Sequence, residues 1–360
     1  MGNHLDENAS FARPVRLGRS ASTALALLAC AVSANAQTAA EAINVYTTRE
    51  RQHIAPLLAT FESLTRIKTN VVYLSGDPVA RLTADRAAGK VDIFIAAELS
   101  HLVAAKSAGL TEAVTNANLT GRVPAKFLDL DGHWLGLTRR VRVVAASRER
   151  VSQQAFTYEE LADPKWKGKL CMRSGLHPYN VLLTASMIAH KGEPVAEAWL
   201  RGLKANLAGK PSGGDRDQIL AVVAGRCDIA LVNSYYVGGM RAAKDKPETQ
   251  IAGNAVNVIF PNAGDRGAHV SISGLAMMKG APGLDSAALL ADFLTSEPAQ
   301  FVYAQDSFEY PVREDVKPSG LVESWGTPKL DAIPLGDLTS LQAKAAQLIG
   351  KVGFDAGPGS

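Results

Sequence analysis

Cysteine is scarce in this chain: three residues in 360, at positions 30, 171 and 227, with no Cys-x-x-Cys pair. That argues against a metal held by thiolates. Basic runs are missing, and 38 Lys and Arg stand against 35 Asp and Glu, so there is no electrostatic footprint for nucleic acid. No Gly-Lys-Ser/Thr follows the glycine pair Gly213-Gly214, which leaves it a weak phosphate-loop signal. A Gly-x-Ser-x-Gly elbow and a His-Glu-x-x-His helix are absent, as is any His-x-Asp/Glu cue beyond the first 36 residues. These gaps weigh against common hydrolytic and non-haem iron chemistries. Past the N-terminus no apolar run is long enough to cross a bilayer.

What is present is an ordinary globular composition, 47% hydrophobic and 20% charged, in a chain long enough for two lobes with cores of their own. The N-terminus reads as an export signal over 1–36. Arg13, Arg16 and Arg19 precede the apolar run Ala21–Ala34, and Ala34-Asn35-Ala36 is a small-x-small cleavage site before Gln37. Leu27-Leu28-Ala29-Cys30 also matches a bacterial lipobox, which would place a lipid on Cys30 and the protein on a membrane. Either reading exports the protein. Without the leader the net charge falls from +3 to near +2. Cys171 and Cys227 then remain, each beside an apolar strand-like segment, either bridged in an oxidising compartment or buried as two thiols.

Hydrophobic periodicity alternates strands and helices. Strands are expected at 43–46, 69–74, 91–96, 135–146, 169–173, 228–233, 256–260 and 270–278. Helices are expected at 51–64, 78–88, 100–108, 180–190, 195–206, 217–224, 286–295, 298–305 and 338–352, with a frayed tail over 356–360. This is an α/β pattern with a mainly parallel sheet. The long segment 135–146 can pass from one lobe to the next, and 270–278 can return. We divide the chain into a first lobe beginning at 37–137, a second lobe at 138–258, and a return crossing, the remainder of the first lobe and C-terminal helices at 259–360.

Three tyrosines stand where such a fold binds ligands, beyond the carboxyl ends of strands. Tyr179 follows the strand ending at Arg173, and Tyr235-Tyr236 follow the strand ending at Asn233. Adjacent tyrosines on a first helical turn lie roughly 100° apart, so both phenols can reach one cleft. Gly238-Gly239 leave room for a close approach to the backbone. Three phenols on one point suit a hard, highly charged cation such as ferric iron. A free phenol has a pKa of about 10, so such a metal must displace protons and its binding weakens on acidification. Asp215, Arg216 and Asp217 follow two glycines and are expected to cap the next helix.

The mature chain resembles the periplasmic ferric-iron-binding proteins of bacterial ABC importers, in particular the branch with the iron-deficiency-induced and Fut-type proteins. The resemblance runs from Ile43 to Phe354. It is carried by Ile43-Asn44-Val45-Tyr46, Asp131-Gly132-His133-Trp134, Asp163-Pro164-Lys165-Trp166-Lys167-Gly168-Lys169, Gly213-Gly214-Asp215-Arg216-Asp217-Gln218-Ile219, Asn233-Ser234-Tyr235-Tyr236 and Glu309-Tyr310-Pro311-Val312. It implies a two-lobed periplasmic binding protein fold, with extended hinge crossings and a ligand cleft between the lobes. It also implies a monomer that binds Fe3+ through the phenolates of Tyr179, Tyr235 and Tyr236 and delivers it to an inner-membrane permease and its ATPase, without catalysis.

One loop departs from that branch. Fut-type members carry His-Tyr directly after the arginine of the opening loop, whereas this chain reads Tyr46-Thr47-Thr48-Arg49-Glu50-Arg51-Gln52-His53. Tyr46, Glu50 and His53 are the candidates for a first-lobe ligand. Other members close the gap with a carbonate held by arginines, and Arg49 and Arg140 are the candidates for that anion clamp. Two alternatives accompany this reading: a carrier of ferrous iron, a metal chelate or a small organic or anionic solute, and, more remotely, a non-haem iron enzyme.

Overall fold

The computed structural model describes residues 42–114 and 116–359, with the backbone alone at 117 and 118. The export signal and Cys30 lie outside the described residues. Among the described residues ten strands form one mixed sheet: β1 (Ala42–Thr47), β2 (Lys68–Tyr73), β3 (Ile93–Ala96), β4 (Thr111–Glu112), β5 (Leu135–Ser147), β6 (Leu170–Cys171), β7 (Ile229–Asn233), β8 (Val256–Ile259), β9 (Val270–Met278) and β10 (Tyr310–Pro311). The main order is β2-β1-β3-β9-β5-β7-β6.

The sheet is less parallel than the alternation of elements implies. β1 pairs in parallel with β2 and β3, and β6 with β7. The long strands β5 and β9 enter against their neighbours, so β3–β9, β5–β9, β5–β7 and β5–β8 are all antiparallel. β5 is 13 residues long and changes partners midway. From Leu135 to Val141 it pairs with β9, and from Arg142 to Ser147 with β7 and β8.

The period of two along β5 sends alternate residues to opposite faces. Val144 and Ala146 join one hydrophobic cluster with helices Pro178–Lys191, Glu193–Asn206 and Gln342–Val352. Val141, Val143 and Ala145 join another with helices Asp215–Val223 and Ser234–Arg241. A third cluster gathers β1, β3, β9 and the start of β5 under helices Arg51–Thr65, Leu99–Ser107 and Leu284–Leu294.

Two expectations near the C-terminus are corrected. The segment 338–352 is two helices, Leu335–Ser340 and Gln342–Val352, divided at Leu341. The tail is not frayed at its start: Ala356 ends the 3-10 turn Phe354–Ala356, and the Gly357 N–H goes to the Phe354 carbonyl at 3.2 Å; just before Ala356, Asp355 accepts bonds from Ser174 Oγ and Gly175 N, both at 2.6 Å. A Cβ on Gly175 would come within 2.7 Å of the Phe354 ring, so this close docking requires glycine. The C-terminus thus braces the loop that leads to Tyr179. Cys171 and Cys227 are bonded to each other, which links β6 to the residue two before β7. No helix among the described residues is long and apolar enough to cross a membrane.

Candidate functional site

Local sequence places the three tyrosines. His177 and Pro178 open helix Pro178–Lys191. The proline sits at the helix start, where its missing N–H costs nothing, and His177 Nδ1 accepts the Tyr179 N–H at 3.3 Å. The His177 ring stands edge-on to Tyr179 with centroids 4.4 Å apart. Burial and the nearby Arg173 push its pKa down to about 3, so it caps the helix as neutral imidazole. β7 ends at Asn233 and passes directly into helix Ser234–Arg241, whose first turn carries Tyr235 and Tyr236 with ring centroids 4.2 Å apart. Gly238 gives Phe308 its seat, since a Cβ there would meet Phe308 Cβ at 2.5 Å, while Gly239 opens onto a cavity.

The structure brings the tyrosines together. Their exposures are 8%, 7% and 8%, and the hydroxyls of Tyr179 and Tyr235 share a 3.0 Å hydrogen bond. Burial raises the Tyr179 pKa well above its ordinary value, and the charge of Glu98 adds to this, with Arg140 acting against both. Tyr235 is raised by burial and by its two tyrosine neighbours. In the unloaded protein both phenols are therefore neutral at pH 7.

Cations surround this triad. The guanidinium carbons of Arg140, Arg142 and Arg173 lie 5.5, 5.7 and 5.2 Å from the centre of the Tyr179 ring, and that of Arg216 lies 4.9 Å over Tyr236. Among the described residues no group of three or more His, Cys, Asp or Glu is placed to hold a metal. A cation bound here would rely on phenol oxygens.

The remaining candidates fall in different places. Tyr46 donates to Asp85 Oδ2 at 2.7 Å and so commits its hydroxyl elsewhere. Glu50 and His53 line a cavity of about 510 Å³ together with Tyr235, Arg216, Lys246 and Phe308. Glu50 is exposed and bonded to Gln52, while His53 is half-buried with Nδ1 lacking a partner. Burial and Arg49 lower the His53 pKa.

Arg49 is buried and gives Nη1 to both carboxylate oxygens of Glu309 at 2.9 Å, leaving Nε and Nη2 without a protein acceptor. Burial pulls the Glu309 carboxyl up, but Arg49 and Arg140 outweigh it and hold the group below the usual range. Arg140 spends its Nη1 on Glu98 at 2.6 Å and approaches the Tyr179 hydroxyl at 3.4 Å. Its Nη2 goes to the carbonyls of Ala97 and Ile272. The expected caps divide their roles. Asp217 accepts the Gly214 N–H at 2.7 Å, Asp215 is buried against Arg142, and Arg216 faces Tyr236.

Sequence reasoning missed Glu98 as a neighbour of Tyr179. It follows the carboxyl end of β3, the place where ligand-facing groups collect in such sheets, and that signal was available. Glu98 is buried; this raises its pKa, with Arg140 opposing.

Comparison with known proteins gives the family. The family model for bacterial extracellular solute-binding proteins matches residues 88–326. Iron uptake protein A1 of Synechocystis sp. is 37% identical over 314 residues, covering 87% of each chain. The solved Bordetella ferric binding protein is 41% identical with a TM-score of 0.81, covering 87% of this chain and 99% of its own. A Trichodesmium protein solved with iron and citrate ligands is 34% identical with a TM-score of 0.82, at the same coverage. These structures are two-lobed α/β binding proteins, the fold class read from the sequence. By sequence and fold alike, the chain belongs to the bacterial extracellular solute-binding protein family.

Proposed function

We propose that this protein captures Fe3+ in the periplasm through the phenolates of Tyr179, Tyr235 and Tyr236 and delivers it to an inner-membrane ABC permease with its ATPase. The observation that carries this reading is the convergence of three buried phenols, two of them within 3.0 Å, in a cluster ringed by arginines. Three phenolates neutralise one Fe3+ and leave coordination positions open. Glu98, Glu50 and His53 are the candidates to fill them from the first lobe. The unspent donors of Arg49 suit a carbonate or another planar oxyanion as companion. The names of the relatives support iron as the cargo.

In this reading the first lobe is built from 37–137 and part of 259–360, and the second from 138–258 with the C-terminal helix packed on its core. Closure of the lobes on the metal is the signal read by the permease. The protein acts as a monomeric carrier and not as a catalyst, free of the membrane unless lipidated at Cys30.

Titration of the metal-stripped protein with ferric nitrilotriacetate in bicarbonate buffer tests this. A red-orange phenolate-to-iron band saturating at one metal per chain is expected. A protein that stays colourless has no ferric phenolate site, and its cleft then takes ferrous iron, a chelate or an organic solute.

A further inference from the structure

Beneath the tyrosines lies a charged pair to which ferric capture assigns no task. Arg142 stands on β5, and Asp215 is the first residue of helix Asp215–Val223. Their side chains are 1% and 0% exposed and meet at 2.7 Å. Together they reach toward both tyrosine helices. Asp215 Oδ2 also accepts the backbone N–H of Asn233 at 2.7 Å, immediately before the helix of Tyr235 and Tyr236. Arg142 gives Nη1 to Asn233 Oδ1 at 3.3 Å and Nη2 to Asn180 Oδ1 at 2.8 Å. Asn180 follows Tyr179, and its Nδ2 holds the carbonyls of Arg173 and Ser174 at 3.2 and 3.0 Å. Arg173 in turn reaches Asp215 Oδ1 at 3.4 Å.

Stability alone does not explain such a pair, because well-packed apolar residues of similar volume are often as stable as a buried ion pair. Apolar residues cannot fix two separate backbones by directional bonds, and a guanidinium fork can. The span it closes is the one a tridentate phenolate site must hold. Tyr179 and Tyr235 come from different helices, 56 residues apart, and their oxygens must face one ion.

Resting on the ferric reading, we infer that the Arg142–Asp215 pair positions the phenols: it locks the start of the Tyr179 helix to the start of the Tyr235-Tyr236 helix without touching the metal. Groups that orient metal ligands shift affinity by roughly 10–100-fold.

The test uses Arg142→Lys, Asp215→Asn and Asn180→Ala. Lysine keeps the charge but loses the fork, asparagine keeps an acceptor without the charge, and alanine removes the arm toward Tyr179 together with its two bonds to the carbonyls of Arg173 and Ser174. Ferric affinity is read by citrate competition, the ligand geometry by the position of the charge-transfer band, and folding by the apo thermal midpoint. We expect each folded variant to lose roughly 10–100-fold in affinity, with a displaced band. A merely structural pair would lower the thermal midpoint and leave the affinity and band of the folded protein unchanged, and that result overturns the inference. Should Asp215→Asn fail to fold, Arg142→Lys and Asn180→Ala decide the question alone. A wild-type protein without a ferric band sinks the ferric reading and this inference with it. A wild-type band retained unchanged in folded variants sinks this inference only.

Discussion

The hydroxyl oxygens of Tyr179 and Tyr235 stand 3.0 Å apart in a site that is all but closed to solvent. One proton shared between them makes this a hydrogen bond. Two phenolates at this distance would repel by on the order of 5 kcal/mol at an effective dielectric near 20. A trivalent cation turns that repulsion into attraction, so the arrangement favours a phenolate pair only when a metal lies between the oxygens.

Replacement of either tyrosine by phenylalanine therefore separates a metal site from an aromatic one. Tyr179→Phe and Tyr235→Phe keep the ring and remove the donor. Each is expected to abolish most of the charge-transfer absorbance and to weaken ferric binding by at least about 100-fold, more than loss of an orienting group would. Tyr46→Phe, whose hydroxyl is held by Asp85, is expected to leave the ferric titration unchanged. An unaltered band in Tyr235→Phe would contradict phenolate ligation.

Proton release follows from the same burial. Tyr179 and Tyr235 are held protonated by their surroundings, with pKa values raised well above the ordinary phenol value. Metal binding must remove those protons, so affinity rises with pH and falls on acidification. Titration of weakly buffered protein with ferric nitrilotriacetate, followed by pH-stat, is expected to release about one proton for each phenolate formed, less about one taken up by the amine of the freed nitrilotriacetate. Release of none would place the metal elsewhere.

The buried pair Arg49–Glu309 offers a stability test apart from the metal. Arg49 is 4% exposed and Glu309 2%, and Thr138 also donates to the Glu309 carboxylate. Removal of one partner leaves the other charge buried and unpaired, at a cost of about 3–5 kcal/mol. Glu309→Ala is expected to lose stability of that order in urea unfolding, and Arg49→Met combined with Glu309→Ala to lose less than the sum of the single changes. Additive losses would mean that the two charges do not depend on each other.

Much of this was legible in the sequence. The alternation of apolar runs located most of the strands and helices, and the tyrosines could be placed at strand ends because βα units carry ligands there. The antiparallel entry of β5 and β9 was not legible, because periodicity reports which face of a strand is buried and not its direction. The partners of Glu98, Arg142 and Glu309 were also hidden. Each lies dozens of residues from the group it meets, and nothing local distinguishes a buried charge from a solvated one. Cys171 and Cys227 were open between a bridge and two thiols for the same reason: a disulfide depends on a distance across the fold, here 5.9 Å between Cα atoms.

His269 is one buried group through which acid is expected to destabilise the fold. It immediately precedes β9, is 3% exposed, and has both ring nitrogens buried without a partner. Its carbonyl accepts the Arg142 N–H at 3.0 Å and its own N–H goes to the Tyr158 hydroxyl at 2.9 Å, so its backbone is held in the crossing region. Burial lowers its pKa from 6.5 to about 4; among the charges facing it, Asp331 opposes this, and Arg142, Arg266 and His190 add to it. The unfolded chain therefore binds a proton between pH 6.5 and 4 that the folded chain refuses. Stability attributable to this residue is present above pH 6.5 and is lost as pH falls toward 4, with a slope approaching 1.4 kcal/mol per pH unit, or about 3 kcal/mol in all. His177, lowered to about 3 by burial and Arg173, contributes a slope of the same sign. Urea unfolding at pH 7.0, 6.0, 5.0 and 4.0 should show that decline in the wild type and a shallower one in His269→Asn. An identical slope in the variant would mean that His269 stays neutral in both states or charges equally in both, and the acid sensitivity would then belong to other groups.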